Sequence, residues 1–132
     1  MEALDVNALP LTVPVVMASS FGATLRTPKR GTSFVELYRS GNGTIGIRNA
    51  SNKDKHLCLS LYSQCSFGSP ENALKFKVKE ASAGRFVFEE SSTGNVLEME
   101  YQGRVSLVVC RNKYREETQS WFVLNNTKSA RL

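Results

Sequence analysis

This 132-residue sequence has a single histidine, His56, and three cysteines, Cys58, Cys65 and Cys110. One imidazole excludes metal centres built on paired histidines, and two cysteines beside it give at most three ligands at unusual spacing. An odd cysteine count excludes a complete disulfide framework and points to a reduced compartment. Long apolar runs are also missing. The longest, Leu9 to Ala18, is broken by Pro10 and Pro14 and falls short of the roughly 20 residues a membrane helix needs. Glu2 and Asp5 make the region before it acidic, unlike an export signal, so the expected setting is intracellular and cytoplasmic. No segment keeps a helical period, and no Gly-rich phosphate loop, nucleophile elbow or zincin helix occurs.

What the chain does have is alternation. Phe86 and Phe88, then Leu97, Met99 and Tyr101, then Val105, Leu107 and Val109 recur every second residue, the period of strands with one buried face. The turns between them, at Gly94 and Gly103, carry the glycine that tight hairpins use. Leu11, Val13 and Val15 alternate too, and a weak strand is expected over Ala23 to Arg26. Ser69-Pro70-Glu71-Asn72-Ala73 and Tyr114 to Ser120 can each open one turn of helix.

The alternation repeats. Val35, Leu37, Gly43, Ile45 and Ile47 are matched 41 residues later by Phe76, Val78, Gly84, Phe86 and Phe88. Leu57, Leu59 and Leu61 are matched 40 residues on by Leu97, Met99 and Tyr101, and Phe76 and Val78 are matched 45 residues on by Trp121 and Val123. A repeat of strand, Gly turn, strand, turn and strand follows. Stepping back from Val35 lands on Leu4, Val6 and Met17 with no good turn between them, so the first copy is degenerate.

A domain with a forty-residue repeat of short strands resembles the β-trefoil, shared by ricin-type lectins, fascin, fibroblast growth factors and interleukin-one cytokines. The resemblance is carried by Thr93 to Glu100, Val105 to Asn112, and Gln119-Ser120-Trp121, which matches the Gln-x-Trp signature closing ricin-type repeats, and by Lys55 to Leu61 and Ala73 to Val78 in the middle repeat. It covers roughly residues 35–124. The fold class expected is therefore all-β, a β-trefoil of three repeats of about forty residues, with a tubby-like or LURP-one-like barrel, or another antiparallel sandwich, as the alternative. The expected core is Val35, Leu37, Ile45, Ile47, Leu59, Leu61, Phe76, Val78, Phe86, Phe88, Leu97, Met99, Leu107 and Val109, with Trp121 buried beneath the last strand. The expected organisation is one domain over residues 1–132, with a disordered start at 1–12 and a flexible tail at 127–132.

Function is less legible. The resemblance implies sugar binding only where the lectin pattern is kept, and Ser60 and Glu98 stand where the lectins have Asp; Asn112 alone is in a matching place. No catalytic residue, cofactor or metal ligand is assigned. His56 reads as an exposed histidine at a hairpin edge. Glu89-Glu90 and Glu98-x-Glu100 could supply the two carboxylates of a hydrolase, but Glu98 and Glu100 fall opposite the buried Leu97, Met99 and Tyr101 face, so a carboxylate-dependent hydrolase is the lesser alternative to a solvated strand surface. Asn42, Asn49 and Asn125 open glycosylation-type triplets that a chain rich in Asn, Ser and Thr makes by chance.

Seventeen basic against twelve acidic side chains give a net charge of +5. Lys75, Lys77 and Lys79 alternate on one strand, as edge-protecting lysines do. Arg26, Lys29 and Arg30 crowd one loop, and Arg111, Lys113 and Arg115 crowd another with Tyr114 among them. The reading is a non-catalytic binding module for an anionic partner, meaning an acidic glycan, a nucleic acid or an acidic protein surface. The contacts are assigned to Arg111, Lys113, Tyr114 and Arg115, extended by Lys53 and Lys55, with Tyr114 offering a ring for stacking. A structural protein pairing through strand edges is the other alternative. Ala130-Arg131-Leu132 fits the small, basic, leucine form of a peroxisomal address, meaningful only in a eukaryote.

Overall fold

The structure is a computed structural model, and it describes residues 9–20, 23–26, 34–82, 84–100, 104–109 and 115–125. Ten strands follow in chain order: β1 (Pro14–Ala18), β2 (Val35–Gly41), β3 (Thr44–Asn49), β4 (His56–Leu59), β5 (Cys65–Gly68), β6 (Phe76–Ser82), β7 (Arg85–Glu90), β8 (Val96–Met99), β9 (Val105–Val108) and β10 (Trp121–Asn125). One helical turn, α1 (Glu116–Gln119), precedes β10, and Pro70–Asn72 forms a 3-10 turn; both fall where helix-opening residues stand in the sequence.

Six strands close into a ring. β1 pairs β2, β2 pairs β3, β3 pairs β6, β6 pairs β7, β7 pairs β10, and β10 returns to β1, every pair antiparallel. Two hairpins stand off this barrel: β4–β5 hangs from β3 through Arg48 opposite His56, and β8–β9 hangs from β7 through Glu89 opposite Val96. The third attachment point is the bridge from Ala18 to Thr24. A six-stranded barrel with hairpins recurring in threefold fashion is the β-trefoil arrangement.

The register shows why the repeat is there. Met17, Ile47 and Phe88 lie opposite Val123, Leu37 and Val78, and all six point toward the barrel interior or its wall. Leu25, Leu57 and Leu97 are the equivalent first leucines of the hairpin strands, and all three are buried. Val35, Phe76 and Trp121 open the three equivalent strands β2, β6 and β10, each fully buried. Phe76 meets Phe88 edge to face with centroids 5.9 Å apart. Both complete barrel hairpins slip register at the same place, between Arg39 and Gly41 and between Glu80 and Ser82, where Gly41, Gly43 and Gly84 take positive φ.

A polar set obeys the same symmetry. Ser19 directly follows β1, Asn49 ends β3 and Glu90 ends β7; all three are buried, and their amides donate to the carbonyls of Ala23, Lys55 and Asn95 respectively. Each side chain serves its own turn. Ser19 Oγ donates to Ala23, Asn49 Oδ1 accepts from the amides of Ser51 and Asn52, and Glu90 accepts from Ser92 and Thr93. The Asn49 triplet is thus a buried turn cap.

Several expectations need correction. Leu59, Leu61 and Val109 are exposed. Leu59 ends β4, Leu61 lies in a 3-10 turn beyond it, and Val109 follows the end of β9, so the alternation runs past the points where the strands leave the core. Val13 is exposed because β1 begins only at Pro14, and Phe86 is half-buried at the barrel lip opposite Trp121. His56 is buried, since Arg48 and Tyr38 cover it from β3 and β2. Within the expected disordered start, Leu9 is buried and Leu11 bridges Leu37, while residues 1–8, like the tail at 127–132, lie outside the described residues. The first repeat is present. Its opening strand β1 finds its hairpin-type partner in β10 at the other end of the chain, so no local turn announces it.

Candidate functional site

The assigned cations fall into two places. Arg111, Lys113 and Tyr114 lie outside the described residues. Lys53 and Lys55 occupy the β3–β4 turn, whereas Arg115 stands just before α1 in the β9–β10 connection, so they occupy non-equivalent loops and are organised by different carboxylates.

The first cluster lies on the outer face of β2, β3 and β4. Glu36 stands opposite Arg48, and Arg48 opposite His56. Arg48 Nε and one terminal nitrogen donate to the same Glu36 oxygen at 3.2 and 3.0 Å, and Lys53 Nζ reaches the other oxygen at 3.4 Å. The Arg48 guanidinium also lies 4.8 Å from the Tyr38 ring centroid. Tyr38 can lie flat across β3 only because residue 46 is glycine; a Cβ there would run into its ring. Burial first, then the charge of Arg48, hold the His56 pKa below the ordinary histidine value. Burial likewise pushes the Tyr38 hydroxyl above its usual pKa, against the opposing pull of Arg48.

The second cluster joins α1 to β8. Glu98 accepts from Thr118 Oγ1 at 3.2 Å and Gln119 Nε2 at 3.1 Å, with an Arg115 nitrogen at 3.8 Å. Gln119 also accepts from the Arg115 amide through its side-chain oxygen. The glutamine of the Gln-x-Trp element thereby fixes the helical turn, while Trp121 donates its indole N–H to the Leu97 carbonyl at 3.1 Å. Glu98 is therefore a tethering carboxylate, not a solvated one. Glu98, Glu100, Arg104, Arg115 and Thr118 line a shallow groove of about 440 Å³.

In both clusters the acid is inside and a base outside. Glu36 and Glu98 side chains are 4% and 13% exposed, while Lys53 and Arg115 are 61% and 71% exposed. Lys79 pairs with Glu89 at 3.2 Å on β6 and β7, and Lys75 and Lys77 are exposed.

Sequence reasoning missed the buried acid Glu36, and it weighed Glu90 only as a possible catalytic carboxylate, where the structure makes it a buried turn cap. For Glu90 a signal exists: hydroxyl residues two and three positions on, Ser92 and Thr93, are where a side chain can cap its own turn. For Glu36 there is none, because its partners come from β3 and the following turn.

The thiols of Cys58 and Cys65 are free. Burial pushes the Cys65 pKa up to about 12, with smaller contributions from Cys58 and Glu100, and burial likewise raises that of Cys58, which makes neither an activated nucleophile. Among the described residues no helix is long and apolar enough to cross a membrane.

No known family profile matches the sequence, and no curated protein matches it. Among solved structures the chain is similar to a designed threefold-symmetric protein, ThreeFoil, at 12% identity, covering 85% of this chain and 98% of that one with a TM-score of 0.63. At that identity the likeness concerns fold alone, and the fold of this chain is the β-trefoil.

Proposed function

We propose that this protein is a non-catalytic binding module that engages an anionic macromolecule, an acidic glycan, a nucleic acid or an acidic protein surface, through its basic loops. The observation that carries this reading is the layering of charge. Glu36 and Glu98 are drawn beneath the surface, while Lys53 and Arg115, their cationic partners, face solvent. The outer potential is then more positive than a net charge of +5 spread evenly would make it. Arg115 keeps most of its five donors for a partner, because Glu98 takes its shorter bonds from Thr118 and Gln119. The same reading includes Lys55, Arg111, Lys113 and Tyr114, and a reducing cytoplasmic setting, which the odd number of cysteines favours.

The chemistry of the acids and of His56 supports binding over catalysis. Glu98 is engaged in holding α1, and the Nδ1 of His56 is engaged by the Tyr38 hydroxyl. The closed ring of barrel strands leaves pairing between copies to the hairpin strands β5 and β9 at the ends of the sheet.

The test is retention on heparin and on single- and double-stranded nucleic acid across a salt series, for the wild type, Lys55→Glu and Arg115→Glu. A polyanion partner predicts affinity falling with salt at a slope of about one per phosphate or sulfate engaged, reduced by about one in each variant. Equal retention of all three proteins would leave these loops with solubility as their only role.

A further inference from the structure

A second cleft, of about 430 Å³, opens between the β4–β5 hairpin of the middle repeat and the β7–β8 turn of the last. Beside it stands a knob, the tip of the same hairpin, where Leu61 and Tyr62 are 78% and 93% exposed. We propose that knob and cleft are the two halves of one self-complementary surface, on which a second copy of this chain docks with its Tyr62 in the cleft.

The knob is held out rigidly. Tyr62 and Ser63 take φ of 57° and 65°, a left-handed conformation that non-glycine residues adopt only when the surroundings impose it. The Ser60 amide and hydroxyl both donate to the Gln64 carbonyl, at 2.6 and 2.9 Å, and the Gln64 amide donates back to the Leu61 carbonyl at 3.2 Å. Gln64 in turn bridges Ser106 of β9, so the tip is fastened to the neighbouring repeat. A turn ordered beforehand spares a docking partner the cost of ordering it, and burying its leucine and tyrosine removes apolar surface from water.

The cleft is complementary to Tyr62. Leu59, Leu74 and Leu107 form its apolar side, and Leu59 remains 50% exposed there. Its polar side is the β7–β8 turn, where the hydroxyl protons of Ser92 and Thr93 are committed to the Glu90 carboxylate at 2.6 and 2.8 Å, so that toward a newcomer these oxygens act as acceptors. The matching group has an apolar body ending in a hydrogen-bond donor, which describes a phenol. The volume lies within the roughly 300–1,000 Å³ of pockets that enclose small organic groups.

The placement also sets the symmetry. Leu59 and Ser63, on either side of the tip, line the cleft, whereas Tyr62 between them does not. The ring stands at the rim of its own cleft without filling it. A knob and a hole side by side on one face meet their counterparts simultaneously across a two-fold axis, the self-complementary contact of homodimers.

Sedimentation velocity of the full chain from about 1 μM to about 1 mM is expected to show monomer passing to dimer, as a small interface does. Tyr62→Asn removes the ring and keeps a residue that tolerates the left-handed turn, and Leu59→Asp puts a charge into the cleft wall; both positions are exposed. Each should raise the dissociation constant about a hundredfold, because both contacts of the dimer are lost. Tyr62→Phe, which keeps the ring, should raise it about tenfold by removing two hydrogen bonds. An equimolar mixture of Tyr62→Asn and Leu59→Asp restores one intact knob and one intact cleft, so it should associate about tenfold more tightly than either variant alone. Monomer at every concentration, association that survives both variants, or a mixture no tighter than its components would overturn the proposal. Arg115→Glu, which tests the polyanion surface, should leave the dimer unchanged, so either reading can fail without the other.

Discussion

The Tyr38 hydroxyl lies 2.6 Å from Nδ1 of His56, and the two rings meet edge to face with centroids 5.2 Å apart. In the neutral tautomer that carries its proton on Nε2, the hydroxyl donates to Nδ1; protonation of the ring turns Nδ1 into a donor and forces the hydroxyl proton to rotate away. His56 has a folded pKa below the ordinary histidine value of 6.5, so the unfolded chain binds the extra proton more readily. Stability is accordingly lost as pH falls through 6.5 and levels off below the folded pKa. Thermal midpoints of wild type and Tyr38→Phe measured from pH 8 to 5 check this. The wild type should lose stability across that window, and Tyr38→Phe, which lacks the donor to Nδ1, should fall less steeply.

Gly46 is the permissive partner of that pair. Gly46→Ala places a methyl in the Tyr38 ring and should cost about 1–3 kcal/mol by overpacking. It should also free the His56 imidazole, visible as a rise of its NMR-titrated pKa toward 6.5. An unchanged unfolding midpoint in denaturant would mean that Tyr38 swings aside at no cost.

Glu90 gives the opposite pH signature. Burial pushes its pKa up, but the hydrogen bonds from Ser92 and Thr93 outweigh burial and hold it below the ordinary glutamate value of 4.5. The stabilisation is present above pH 4.5 and is lost as pH falls through the lower, folded pKa. Glu90→Gln should lower stability by about 1–3 kcal/mol at neutral pH, with the gap to wild type narrowing below pH 4.5. A constant gap from pH 7 to 3 would assign the loss to shape and not to charge.

Trp121 tests the third repeat. Trp121→Ala removes a fully buried ring and leaves the Leu97 carbonyl unpaired, an expected loss of about 3–5 kcal/mol in denaturant unfolding. Trp121→Phe refills most of the volume without the N–H donor, so the difference between the two variants separates packing from the hydrogen bond.

The fold was legible where a periodic signal and a local turn coincide. Val35 to Ile47 and Phe76 to Phe88 show both, and their hairpins match down to the position of the bulge. Where a strand pairs with a distant segment, alternation says that it is buried but not against what. Met17 belongs to such a strand, and its partner Val123 comes from β10. Leu59, Leu61 and Val109 misled for a related reason: an every-second-residue pattern carries no mark of where the backbone leaves the core.

The candidate sites were less legible still. Charge counts found Arg115 and Lys53, yet could not show which acids lie under them, since Glu36 and Glu98 look like any outward-facing residue of a strand.

The pairing of residue 15 with residue 125 sets the order in which this barrel can be built. The hairpins β2–β3 and β6–β7 are local and can form as soon as their residues are available, but β1 has no partner on its far side until β10 has been synthesised. Until β10 is available the other barrel strands can form only an open sheet, and β10 acts as a latch. Closing that loop is the longest-range step and the slowest in entropic terms.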